Sequence, residues 1–254
     1  MRREAFESRA VVLRTVPYGE ADLIVSLLTL EAGKRSGFAR GARKSSRRFR
    51  GGLHPLSLVR ARLASRGHDS LDVLSESEVV GDMSTLGRNL AAFAAASVAS
   101  EFTDTLLDEQ QGDAELFGRL VRLLEWLRVP ERRPELCWVG LNRYMQALLD
   151  DLGVTPDWGS LGRSDSDDLD EVVGGFSPDH GLLARAGVGQ ASGIRWLTER
   201  QVRYLAAVQS AKVPEPGCLD AGAAVGEVLR DIAVAQSQRA IKSWDFVRGA
   251  LPGS

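Results

Sequence analysis

With only two cysteines in 254 residues, the chain has no disulfide framework. Neither Cys137 nor Cys218 belongs to a CxxC pair or another metal-ligand spacing. They read as reduced, buried thiols of a cytosolic protein. Histidine is nearly as scarce: His54, His68 and His180 are scattered and sit in turn-like contexts, so each reads as a loop or surface residue rather than a catalyst. No GxxxxGK[ST] and no GxGxxG is present, which removes the usual nucleotide cradles. No GxSxG or HExxH occurs either, which removes the common hydrolase signatures. No apolar stretch approaches the roughly 18 residues that a spanning helix needs. The opening MRREAFESR lacks the apolar core of a signal peptide. These absences lead to an expectation of a soluble, cytoplasmic protein with no catalytic residues, no cofactor and no bound metal.

The most informative absence is local. No Asp or Glu stands between Glu31 and Asp69. Within that gap lies KRSGFARGARKSSRRFR, carrying Lys34, Arg35, Arg40, Arg43, Lys44, Arg47, Arg48 and Arg50. Arg60, Arg62 and Arg66 extend the basic character. Gly37, Gly41, Ser45 and Ser46 keep the backbone open, and Phe38 and Phe49 interrupt the charges. So many cations repel one another unless an anion is close, and a run of phosphates is the anion that fits. The alternative is a solvated basic loop. The formal charge of −2 conceals the imbalance: residues 1–68 hold fifteen Lys or Arg against five acids, and the remainder is acidic. A chain split in this way reads as a nucleic-acid-binding module joined to a part with another task. Phe38, Phe49 and Tyr18 are candidates for stacking on bases, which tolerates any sequence. Core packing explains Phe38 equally well.

Along the chain, Arg9–Val16, Asp22–Leu30, Arg35–Arg40, Leu56–Leu63 and Leu71–Val80 read as five short strands separated by turns. Five strands in about eighty residues fit a small Greek-key barrel of the OB type, which binds oligonucleotides across its second and third strands. The basic stretch would fall on the third strand and the loop after it. From residue 83 onward helices are expected. Leu86, Leu90, Phe93, Ser97 and Phe102 are spaced for one helical face, with N-caps sought between Asp82 and Thr85. Asp113 caps a second helix, with Leu116, Phe117, Leu120, Val121, Leu124 and Leu127 inward. Pro134 opens a third, which Gly153 ends. Further helices are expected at Thr198–Gln209 and Asp220–Arg239. All five tryptophans lie in this half and read as core. The fold class is therefore α+β: an OB-fold over residues 1–82, then an all-helical domain over 83–254 with a loop insert at about 155–193.

At this point the residues resemble a known family, the RecO recombination mediators of bacteria. The stretch AVVLRTVPYGEADLIVSLLTLEAGKRSGFARGARKSSRRFRGGLHPLSLV is similar to that family's N-terminal barrel. NRYMQALLDDLGVTP resembles its helix and leucine–glycine–x–x–proline corner, and RAIKSWDFVRG resembles its C-terminal ending. The resemblance implies a non-catalytic protein that binds single- and double-stranded DNA and anneals complementary strands. It also implies action with RecR and a functional link to RecA. The helical domain would contact the acidic, apolar C-terminal tail of the single-stranded-DNA-binding protein. Association with the nucleoid follows from the same likeness. Many members carry four zinc-binding cysteines in the segment corresponding to Leu161–Gln190. This chain has none there, so no zinc is expected.

Two rival functions use other features. One is an RNA-binding adaptor built on the same barrel. The other is a Mg²⁺-dependent nuclease using Asp165, Asp167, Asp168, Asp170 and Glu171, since carboxylates can hold metal for phosphodiester chemistry. That acidic run lies in a segment rich in Gly, Ser and Asp, and it reads better as a solvated loop.

Overall fold

The β-branched run near the N-terminus forms a strand longer than its apolar core. In the computed structural model, which describes residues 5–65, 71–81, 83–161, 168–184 and 193–251, β1 spans Ala5–Tyr18. It is followed by β2 (Asp22–Thr29), β3 (Gly33–Ala39), the two-residue β4 (Phe49–Arg50), β5 (Leu58–Ala64) and β6 (Asp72–Gly81). The antiparallel order is β3-β2-β1-β5-β6, and a parallel pairing of β6 with β3 joins its ends. That closure is limited to Gly37↔Asp72 and Phe38↔Val73. The result is the strand order of a partly open OB-like barrel. The five expected strands are present, and β4 is an addition inside the basic stretch, pairing with Ser77 and Glu78 of β6.

Alternation places one set of side chains inside. Ala10, Val12, Val25, Leu27, Val59, Ala61, Leu63 and Leu74 form the barrel core. Outside, β5 presents Arg60 and Arg62, and β6 presents Glu76 and Glu78. A register shift between Val12 and Arg14 re-aims β1 beyond it.

Two helices belong with this sheet: α1 (Leu90–Leu106) and α2 (Ala114–Leu127). They pack on β1 and β2 and cover Val11, Leu13 and Leu28, which are at most 4% exposed. Asp113 caps α2 through the Leu116 amide at 2.9 Å, and its six expected apolar positions are buried. In α1 the expected face is corrected. Leu86 and Phe102 are buried, but Leu90 is 61% exposed and Phe93 39%. The buried stripe is instead Ala91, Ala92, Ala94, Ala95, Val98 and Ala99. Alanine lets the helix approach the strand closely, and Ser100 Oγ donates to the Leu13 carbonyl at 3.1 Å. The cap is Asn89, which accepts from the Ala92 amide. Asp82, considered for that role, lies outside the described residues.

The connection between α1 and α2 protects an edge. The Lys34 amide donates to the Gln111 carbonyl, the Gln110 amide to the Lys34 carbonyl, and the Ser36 amide to Glu109. The half of β3 that β6 does not reach is thereby paired rather than left open. Gly33 sits at φ +63°, and a Cβ there would lie 2.5 Å from the Gln111 carbonyl oxygen. Only glycine fits at this close approach.

Asp104, near the end of α1, holds the helix to the sheet. Ser26 Oγ donates to it at 2.5 Å and Arg14 Nε at 2.7 Å, and Lys34 Nζ lies 3.3 Å away. Lys34 Nζ also donates to the Asp104 and Leu107 carbonyls. Burial pushes the Asp104 carboxyl upward, but those two hydrogen bonds and the charges of Lys34 and Arg14 outweigh it and hold its pKa below the ordinary value. A depressed folded pKa contributes stability above the unfolded value of 3.8, lost as pH falls through the lower folded value. Asp104→Asn should therefore cost about 3 kcal/mol at neutral pH. The difference from the parent should shrink at pH 3. Urea unfolding at both pH values measures it, and an equal loss at both would remove the electrostatic explanation.

By contact the chain divides into Met1–Glu131 and Arg132–Ser254. The second unit is mainly helical: α3 (Pro134–Asp151), α4 (Glu199–Gln209), α5 (Gly222–Ser237) and α6 (Trp244–Ala250). Thr198 and Gln201 form a capping box at the start of α4. In the expected loop insert and just after it a small antiparallel sheet appears, with β7 (Val172–Ser177) and β8 (Gly181–Ala184) inside the insert, β9 (Arg195–Thr198) directly beyond it, and the order β8-β7-β9. Trp138, Trp158 and Trp244 are core, while Trp126 is half-buried and Trp196, on β9, is 45% exposed. Trp196 corrects the expectation that every tryptophan is internal. Asn142, fully buried, donates to Tyr204 and to the Gly222 carbonyl, and Trp158 donates to Gln146. These polar groups fix how α3, α4 and α5 meet.

Candidate nucleic-acid interface

The eight cations singled out between residues 34 and 50 divide into two groups. Lys34 and Arg35 are each 8% exposed. Lys34 is engaged with Asp104, as above. Arg35 grips Asp72 in a two-pronged pair, Nε at 2.7 Å and Nη2 at 2.8 Å from its two carboxylate oxygens. Both cations therefore serve the inside of the unit. Arg40, Arg43, Lys44, Arg47, Arg48 and Arg50 are exposed and lie on the segment that leads from β3 into β4, which pairs with β6.

That segment is fastened at both ends. The Gly41 amide donates to Asp22 at 2.6 Å, and the Arg43 amide to the Ala21 carbonyl at 2.9 Å. These bonds tie its start to the β1–β2 turn. At the other end the Ser77 amide donates to the Arg48 carbonyl at 2.8 Å, and Phe49, 2% exposed, enters the barrel core. Arg48 bridges back to the Arg40 carbonyl at 2.7 Å. The cations are thus carried on a loop with fixed ends.

Beyond the loop, Arg47, Arg48 and Arg50 join Arg60 and Arg62 around a concavity of about 260 Å³, with Glu7, Glu76 and Glu78 also on its wall. Arg60 faces Glu7 at 3.4 Å and Arg50 faces Glu78 at 3.9 Å. Lys44 reaches Glu20 at 4.0 Å. All these pairs are solvent-exposed, and such pairs contribute only about 0–1 kcal/mol. They orient the arginines while leaving them able to exchange a carboxylate for a phosphate. Pattern reading found Arg60 and Arg62 by their alternation on β5. It did not find the glutamates opposite them, because those come from β1 and β6 and meet only through strand register.

The aromatic candidates also separate. Phe49 is core. Phe38 is half-buried on the outer face of β3, and Tyr18, 57% exposed, meets it edge-on with ring centroids 5.6 Å apart.

Of the acidic run, Asp168, Asp170 and Glu171 are described. Asp165 and Asp167 lie outside the described residues. Asp170 pairs with Arg200 at 3.1 Å, and Asp168 accepts from the Asp170 amide. Among the described residues no group of three or more His, Cys, Asp or Glu is placed to hold a metal ion. His54 and His180 are exposed, and His68 lies outside the described residues. Cys137 and Cys218 are buried and free, on α3 and in a 3-10 turn, outside residues 161–190 in sequence. Burial pushes the Cys137 thiol up to about 11, so it is protonated and inert at neutral pH. The segment from Leu161 to Gln190 contains no cysteine. Among the described residues no helix is long and apolar enough to cross a membrane.

These features define an α+β protein whose first unit is OB-like and carries an anchored basic loop. The chain belongs to the RecO family: residues 1–83 match the family described as Recombination protein O N terminal, and residues 87–243 match Recombination protein O C terminal. Among its relatives is the DNA repair protein RecO of Anaeromyxobacter sp. strain K, 44% identical over 124 residues, which is 49% of each chain. That of Salinibacter ruber is 32% identical over 188 residues, 74% of this chain and 67% of the relative. That of Geobacter sulfurreducens is 42% identical over 118 residues, 46% of this chain and 48% of the relative. The match spans about half the length of the first of these relatives.

Proposed function

We propose that this chain is a non-catalytic DNA-binding and strand-annealing recombination mediator. It acts with RecR and the single-stranded-DNA-binding protein to promote RecA loading during DNA repair, in the cytoplasm at the nucleoid. The observation that carries the reading is the group of six exposed cations, Arg40, Arg43, Lys44, Arg47, Arg48 and Arg50, on a loop fixed at both ends to an OB-like sheet. The names of the relatives, all DNA repair proteins, support the repair context. The helical unit is the part proposed to meet RecR and the tail of the single-stranded-DNA-binding protein.

The physical step is charge neutralisation. Two complementary strands repel through their phosphates. A loop of cations that contacts both lowers that repulsion and lets bases find their partners. Nothing in the loop reads base edges, so both single and double strands of any sequence are bound.

The test is annealing of two complementary fluorescent oligonucleotides by the full chain. The parent should accelerate it, and a variant with Arg43, Lys44, Arg47 and Arg48 all changed to Gln should not. Equal annealing by both would overturn the reading. A structured RNA that displaces single-stranded DNA at equal concentration would instead favour the RNA-adaptor alternative.

A further inference from the structure

On the outer face of the barrel, strand register sets three apolar residues in one row. Val16 of β1 lies opposite Ile24 of β2, and Ile24 lies opposite Phe38 of β3. Tyr18 follows on β1 and packs against Phe38 at an interplanar angle of 87°. Elsewhere on this face Val11, Leu13 and Leu28 are buried beneath α1 and α2. This row is different: Val16 is 37% exposed, Tyr18 57%, and Ile24 and Phe38 are half-buried. Single exposed apolar residues need no explanation, but a contiguous group does.

The surroundings identify what fits there. Tyr18 lies at the β1–β2 turn, to which the basic loop is tied through Arg43 and Gly41. Arg43 Nη1 also donates to the Glu20 carbonyl at 3.4 Å. Phe38 is two residues before Arg40. An apolar, aromatic row flanked by cations matches a ligand with a flat apolar part and a nearby negative charge. A second protein would not need both in that proportion, whereas an unstacked nucleotide has both. Duplex DNA offers phosphates to the same cations but keeps its base faces covered.

We infer that Tyr18 and Phe38, backed by Ile24 and Val16, form a stacking platform for an unpaired base beside the phosphate-binding loop. The site then distinguishes single strands from duplex. This rests on the phosphate reading of the loop and adds a second, uncharged contact to it. The Tyr18–Phe38 contact holds both rings before a base arrives, so little side-chain freedom is lost on binding.

Three probes of equal length separate the contacts: oligo-dT, an abasic oligodeoxynucleotide carrying the same phosphates, and a duplex, each titrated by fluorescence anisotropy. The parent should bind oligo-dT about tenfold tighter than the abasic strand, within the range of a single base–aromatic stack. Tyr18→Ala should weaken oligo-dT about tenfold and leave abasic affinity and its salt slope unchanged. Phe38→Leu, which keeps bulk but loses the ring, should act in the same direction. Tyr18→Trp should restore binding. Equal parental affinity for oligo-dT and the abasic strand would overturn the platform while sparing the loop. So would a Tyr18→Ala variant that loses both equally or neither. If the parent binds none of the probes, the loop reading fails and the platform fails with it.

Discussion

Changing Arg43, Lys44, Arg47 and Arg48 to Gln should lower affinity for single-stranded DNA by about three orders of magnitude near 50 mM salt. The figure follows from counting. Six exposed cations on the loop, each meeting one phosphate, give a slope of log affinity against log salt of about −4, at about −0.7 per contact on a single strand. Two remaining cations give about −1.4. Lines of those slopes that converge near 1 M salt are separated by more than three decades at about 50 mM. The four side chains are exposed and lie outside the barrel core, and the bonds that anchor the loop through Gly41, Ala21, Arg48 and Ser77 use backbone groups on the loop side. The variant should therefore fold normally, which circular dichroism would check. A salt slope that stayed near the parental value would mean that other cations carry the phosphates, with Arg60 and Arg62 the next to examine.

The same residues show where sequence reasoning reached its limit. The basic stretch was visible as a run of charge, and its placement after the third strand was legible from turn signals. What a run cannot show is which charges point inward. Lys34 and Arg35 are neighbours on one strand, yet both are buried, because a carboxylate from a distant part of the chain meets each: Asp104 from α1 and Asp72 from β6. Both partners lie far along the chain and are found only by folding. Phe38 and Phe49 looked equivalent, and the pleat separated them.

Hydrophobic size misled in α1. Leu90 and Phe93 dominated the pattern, while close packing chose alanines. In the second unit the small sheet was hidden by its own glycines. A Cβ on Gly174 would lie 2.7 Å from Leu161, and one on Gly175 would lie 2.6 Å from Ile194. The close approach that makes the sheet possible removes the bulky residues that would have announced it. Helices α2 and α4 were legible because their caps and apolar stripes agree, and α5 by its apolar stripe alone. The boundary read at residue 82 marks the change from strand to helix, whereas packing groups α1 and α2 with the sheet.

The β3–β6 seam carries the other large expected effect. Asp72→Ala should destabilise the first unit by about 3–5 kcal/mol, the usual cost of leaving one buried charge without its partner. Only two residue pairs join these strands through the backbone, and Arg35–Asp72 spans the same seam with both side chains buried. In a domain whose whole stability is about 5–15 kcal/mol, that loss is a large share. Urea unfolding would measure it. Arg35→Met in the Asp72→Ala background should recover much of the loss, since an apolar side chain needs no counter-charge there. A recovery of that kind identifies the stranded charge, rather than a cavity, as the cause. The seam also bears on the loop. Residues 40–50 leave from β3 and dock on β6 through Arg48, Phe49 and Ser77. Weakening the seam frees the two anchors to move apart. At temperatures where Asp72→Ala is still folded, its DNA affinity should fall while all six exposed cations remain. Unchanged affinity would show that the loop holds its shape without the seam.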